Sequence, residues 1–155
     1  MGTITLGDIA LTAGDEFRVQ SAILRGADVD MGIVDGRPAV FCPTVSITRT
    51  GSPLRNNSEL MLLVDASVDL LKNRSGFVQV SRDPTTTSSG APAILQHHRF
   101  KQEDQIEIEQ QQLFVLPRSG AEALILTATG LPGQRWAARR DGLRRVLLSI
   151  AEAHT

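Results

Sequence analysis

The chain has 155 residues, 41% of them apolar, enough for one domain built on a single sizeable core. Lys and Arg number 16 against 17 Asp and Glu, a net charge of −1, which removes any global electrostatic case for nucleic acid or a strongly anionic membrane. A single cysteine, Cys42, excludes an intrachain disulfide and with it the stapled secreted scaffolds.

The first residues carry no basic segment followed by an apolar one, and acids stand already at Asp8 and Asp15, so a secretory leader is not expected. Thr3 to Leu6 and Phe17 to Leu24 read as strands, separated by a turn at Ala13-Gly14-Asp15. Asp35-Gly36 signals a hairpin turn. A better strand then runs from Pro38 to Arg49, where Val45, Ile47 and Arg49 alternate with Thr44, Ser46 and Thr48 as in a sheet with one wet face.

Asn56, Asn57 and Ser58 are good N-cap types. The stripe Leu60, Leu63, Val64, Ser67, Leu70, Leu71 behind them has helical spacing, which predicts a helix over 58–73. Met61 and Leu62 lie off the stripe and mark either a second packing layer or a contact surface. The longest apolar stretch, Leu60 to Val64, is far short of the roughly 20 residues that span a bilayer. Phe77 to Ser81 alternates as a strand, and Pro84 to Gly90 reads as a polar loop. Three further strands, 91–100, 105–116 and 121–129, are joined by connections short enough to force an antiparallel meander. After Gly130-Leu131-Pro132-Gly133, a closing helix presents Trp136, Leu143, Val146, Leu147 and Ile150 on one side, with Arg139 inside that apolar sector. An arginine there needs a carboxylate or carbonyl, so a salt bridge to the sheet is expected first and an intermolecular anchor second. The order of elements predicts an α+β fold, a central mostly antiparallel sheet flanked by helices, forming one domain over 1–155.

The dinucleotide, P-loop, nucleophile-elbow and zincin patterns are absent. On one strand His97 and His98 point to opposite faces and cannot share a metal, so no metal and no cofactor is expected. Glu107 and Glu109 read as a solvated strand face with Ile106 and Ile108 inward; a hydrolase pairing either histidine with either glutamate is the remote alternative. Apolar parity switches to Leu113 and Val115 across Gln110-Gln111-Gln112, which calls for a bulge or a partly polar inner face. Glutamine amides can donate and accept without charge, as recognition of a backbone requires, although local ladder bonding is the commoner use.

The strand Pro43 to Arg49, the helix Leu60 to Leu71, Gly76-Phe77-Val78, Gly90-Ala91-Pro92-Ala93, the Gln110 to Gln112 strand, Leu124 to Thr129 and the closing Val146 to Ile150 follow one another in an order that resembles the PsbP-like fold superfamily. Within it the chain is most similar to the bacterial DcrB-like group, which includes the Eag-type chaperones of type VI secretion, and to the LpqN-like branch. It departs from these families in offering Gly14-Asp15-Glu16-Phe17 where a Pro-x-Gly-Trp is common, and Thr44 where an Asn follows the strand proline. The resemblance implies an α/β/α sandwich and a cytoplasmic, non-catalytic adaptor or chaperone-like protein. Its partner would be a protein such as a secreted effector, and the adaptor itself a homodimer; the alternative is an LpqN-like envelope domain that binds a lipid or cell-wall component. By their chemistry Met61, Leu62, Gln110, Gln112 and Arg139 are the expected partner contacts.

Overall fold

A computed structural model describes residues 2–6, 9–14, 20–25, 30–34 and 37–152. The tip of the expected Asp35-Gly36 turn and the start of the expected strand at Phe17 lie outside the described residues. Strands β1 (Gly2–Leu6) and β2 (Ile9–Ala13) form one antiparallel hairpin, and β4 (Asp30–Val34) and β5 (Arg37–Phe41) another. Between them in the chain lies β3 (Ser21–Arg25). The predicted single strand from Pro38 to Arg49 is broken at Cys42-Pro43, and β6 (Thr44–Pro53) begins afresh beyond it. Proline supplies no N–H to a ladder, so a break there is natural.

Helix α1 (Asn57–Leu71) is capped by Asn56, whose Oδ1 accepts from Glu59 N at 3.0 Å, while Glu59 Oε2 accepts from Arg55 N at 2.6 Å. The meander follows as β7 (Val78–Thr86), β8 (Pro92–Lys101), β9 (Glu107–Val115) and β10 (Glu122–Gly130). The expected polar loop at Pro84 to Gly90 is therefore shorter, because β7 continues through Pro84. Proline is tolerated there because β7 is an edge. A 3-10 turn at Gln134–Trp136 leads into α2 (Ala137–Leu148).

The six-stranded sheet has the order β3-β6-β10-β9-β8-β7 and every pairing is antiparallel. One helix covers each face. Leu60, Val64 and Val68 of α1 pack on Ile94 and Phe114, with Met61, Leu63 and Phe77 around them. On the opposite face Leu147 of α2 joins Val45, Ala93, Leu95, Leu113, Val115, Leu126 and Ala128. Leu70, placed by the sequence in the inner stripe, is 82% exposed, and Val68 takes the buried position instead.

Because both faces are covered over β8 and β9, alternate residues there enter different cores and neither face is wet. Glu109 is accordingly buried, which corrects the expectation of a solvated Glu107–Glu109 face; Glu107 alone is exposed. Pairing on both sides of β9 runs in unbroken register through Gln110 to Gln112, so no bulge forms. The parity switch records the change of core: Ile108 and Phe114 face α1, whereas Leu113 and Val115 face α2.

Candidate functional site

Three places gather polar chemistry or open space. The first is buried between the sheet and α2. Glu109 Oε1 is hydrogen-bonded to His97 Nε2, and Glu109 Oε2 accepts from Arg140 Nε at 2.9 Å. Gln111 donates from Nε2 to Arg140 O at 3.0 Å and accepts from Arg144 Nε at 3.0 Å. Arg140 Nη2 further donates to Gly133 O at 3.3 Å. Arg140 thus makes an ion pair to the sheet, and its neighbour Arg139 lies over the Trp136 ring at 5.0 Å. The adjoining void, lined by Glu109, Gln111, Trp136, Arg140 and Leu143 among others, measures about 10 Å³. That is room for about one water and for no substrate. The cluster fastens α2 to the sheet.

A second polar belt crosses the α1 side. His98 Nε2 donates to Gln110 Oε1 at 3.0 Å, and Gln110 Nε2 donates to Thr129 Oγ1 at 3.2 Å. One row along, Arg82 Nε donates to Gln96 Oε1 at 3.0 Å and Gln112 Nε2 to Thr127 Oγ1 at 3.2 Å. Arg82 also reaches Asp65 at 2.6 Å and Met61 Sδ at 3.7 Å, tying α1 to the belt. Burial pushes the His98 imidazole below its ordinary value, opposed by the bond to Gln110 and assisted by nearby His97. Its Nδ1 is buried with no partner among the described residues, as suits a neutral ring.

Open space lies elsewhere. Helix α2 packs chiefly on β10 and β9 and reaches Val45 of β6, and among the described residues no helix lies over the rest of that face of β6 and β3. Beyond the end of α2 is a groove of about 800 Å³ whose floor is Ala22, Ile47, Ala91, Val115, Leu124 and Ile150. Its wall is the chain after α2, held by Ser88 N to Leu148 O at 2.8 Å and Ser89 Oγ to Ile150 O at 3.1 Å. The rim is charged: Arg49 pairs with Glu122 at 3.4 Å, and Arg118 and Glu152 stand beyond, with Glu152 accepting from Ser119 N at 3.3 Å. This volume falls within the roughly 300–1,000 Å³ of pockets that bury small ligands, and its chemistry is an apolar bed with polar edges.

The residues named from sequence are scattered. Met61, Gln110 and Gln112 lie on the α1 side with separate partners, Leu62 is 67% exposed on the outer surface of α1, and Arg139 sits across the sheet on α2. None of them lines the groove. Its floor residues carried a signal in their strand parity, Ile47 with Val45 and Leu124 with Leu126, but parity cannot say how far a covering helix reaches. Among the described residues no group of three His, Cys, Asp or Glu could hold a metal ion, and no described helix is long and apolar enough to cross a membrane.

No family model and no curated protein matches the chain. Among solved structures it is similar to a Pseudomonas aeruginosa protein of unknown function, suggested to be a regulator, with 17% identity and a TM-score of 0.65 over 100% of this chain and 99% of that one. At that identity the likeness shows the fold alone.

Proposed function

We propose that the protein is a non-catalytic, chaperone-like adaptor that holds an apolar segment of a partner polypeptide, such as a secreted effector, in the groove over β6 and β3. The observation that carries this reading is the apolar floor: Ile47, Leu124 and Ile150 line open space among the described residues, whereas the polar clusters around Glu109 and Gln110 are bonded internally. A groove with an apolar bed and the charges Arg49, Arg118, Glu122 and Glu152 at its margins suits a segment that is apolar in the middle and polar at its ends. The resemblance to DcrB-like chaperones points the same way, and a cytoplasmic location belongs to that reading.

The test is titration with a fluorescently labelled Leu/Ala-rich peptide flanked by lysines, with palmitate as a second probe. Peptide binding should weaken by at least about tenfold in Ile47→Glu and in Leu124→Glu, since a carboxylate placed on the apolar floor costs more than about 1.4 kcal/mol. Leu62→Lys, on the far surface of α1, should leave it unchanged. Binding that ignores both floor substitutions refutes the reading; capture of palmitate without peptide favours the LpqN-like, lipid-binding alternative.

A further inference from the structure

The chain leaving α2 is tied to both turns at one end of the sheet. From the β7–β8 turn, Ser88 N donates to Leu148 O at 2.8 Å and Ser89 Oγ to Ile150 O at 3.1 Å. On the β9–β10 turn the Glu152 carboxylate has a two-point seat: Ser119 N donates to Oε2 at 3.3 Å, and Ser119 Oγ donates to Oε1. The hydroxyl is set for that role, because it accepts from Ala121 N at 3.2 Å and so directs its own proton to the carboxylate. Gly120 closes this turn by donating to Pro117 O at 3.2 Å, with the positive φ of +78° that glycine takes without strain. Arg118 of the same turn reaches the other one, where a Cβ on Gly90 would stand 3.1 Å from its Nη1, and so brings a cation to both anchorages. Between the two ties Ile150 packs on the apolar cluster that contains Ala91 and Val115, while Ile150, Ala151 and Glu152 all border the groove. Ser119 and Glu152 are exposed, so no core residue depends on their bond.

From this arrangement we infer that Ile150-Ala151-Glu152 is a resident stand-in for the ligand of the groove. A partner segment displaces it by placing an apolar side chain where Ile150 lies and, two positions on, a carboxylate on the N–H and hydroxyl of Ser119. The inference rests on the adaptor reading above and adds to it a recognition pattern and an autoinhibitory contact. The open groove is the part that this tail leaves free, with Ile47 and Leu124 as bare bed, and displacement extends it over Ala91 and Val115. The exchange is close to balanced, since one carboxylate replaces another on the same two donors and one apolar side chain replaces another in the same bed. The surplus comes from the rest of the partner segment on Ile47 and Leu124. Tail and partner exclude each other, so the apparent affinity is the intrinsic one multiplied by the fraction of molecules whose tail is undocked. A tail docked in about nine molecules of ten lowers it about tenfold.

The test titrates the full chain with two labelled peptides, both Leu/Ala-rich and flanked by lysines, one ending its apolar run in Leu-Ala-Glu and the other in Leu-Ala-Gln. The wild-type protein should bind the Glu form at least about threefold tighter, because a charged acceptor makes the stronger bonds to Ser119. Glu152→Ala releases the tail and leaves the seat intact, so it should tighten both forms by about three- to tenfold. Ile150→Ser should tighten them as well; were Ile150 a fixed part of the bed, it would weaken them. Ser119→Ala should narrow the preference for the Glu form. Equal binding of the two forms by the wild type, or no gain in Glu152→Ala, overturns the proposal, and Glu152→Ala decides even if Ile150→Ser fails to fold. Peptide binding that Ile47→Glu abolishes and Glu152→Ala leaves unchanged overturns this inference alone. Absence of peptide binding from both the wild type and Glu152→Ala refutes the adaptor reading and this inference with it.

Discussion

Replacing Glu109 by leucine removes the one carboxylate that joins His97 of the sheet to Arg140 of α2. Glu109 and His97 are buried at 7% exposure each, whereas the Arg140 side chain is 25% exposed and keeps its bond to Gly133 O. Arg140 can therefore turn part of its charge to water, and most of the loss falls on the two buried partners. A charge-assisted hydrogen bond contributes about 1.5–3 kcal/mol, and an orphaned buried imidazole N–H costs about 1–3 kcal/mol. The two figures overlap in what they count, so the expected loss is about 3 kcal/mol. At about 2–4 °C per kcal/mol for a chain of this size, the midpoint should fall by roughly 6–12 °C. Thermal and urea unfolding followed by circular dichroism would read it. The decisive control is His97→Leu combined with Glu109→Leu, which removes the orphan and should recover at least about 1 kcal/mol, since apolar replacement of a whole buried pair is far less damaging than removal of one member. A single-variant loss under about 1 kcal/mol, or a double variant as unstable as the sum of the singles, would refute the view that this bridge fastens α2.

His98 is held below its ordinary value in the folded protein, so the unfolded chain binds the proton more readily. Its contribution should be complete above the unfolded value of about 6.5 and lost as pH falls below it, at no more than about 1.4 kcal/mol per pH unit; unfolding curves between neutral and mildly acid pH should show this slope flattened in His98→Asn. Asn56→Ala deletes the cap bond to Glu59 N and should cost about 1 kcal/mol, measured by urea unfolding, with no effect on peptide binding in the groove. Phe114→Ala empties the fully buried centre of the α1 layer and should cost about 3–5 kcal/mol, with early exchange of α1 amides as the local signature.

The α+β architecture was legible because the meander from β7 to β10 has short connections and α1 has both a cap signal and an amphipathic stripe. The differences within β9 share one cause. Sequence periodicity assumes that a strand has one inner face, and β9 has two, so the alternation of Ile106, Glu107, Ile108 and Glu109 reads as inside and outside although Ile108 and Glu109 are both inside. Of the expected contact residues, Gln110 and Gln112 proved to be bonded to threonines of β10, the local use of an amide that a sequence cannot separate from recognition. The groove was illegible for a different reason. It exists because α2 lies chiefly over β9 and β10 and reaches β6 only near Val45, a matter of helix placement that no residue pattern encodes.

The run Gln110-Gln111-Gln112 spans both faces of β9 with one residue type. A slip of one position would leave an amide at two of the three places where one stood before, so the middle of this strand carries little information about its own alignment. The discrimination has to come from the flanks: a slipped strand would drive Glu109 into the apolar layer beneath α1 and carry Phe114 across to the side of α2. During folding β9 is thus a strand located by its ends, and errors of alignment should be commonest in variants that soften Glu109 or Phe114, while substitutions among the three glutamines leave the choice of partner residues unaltered.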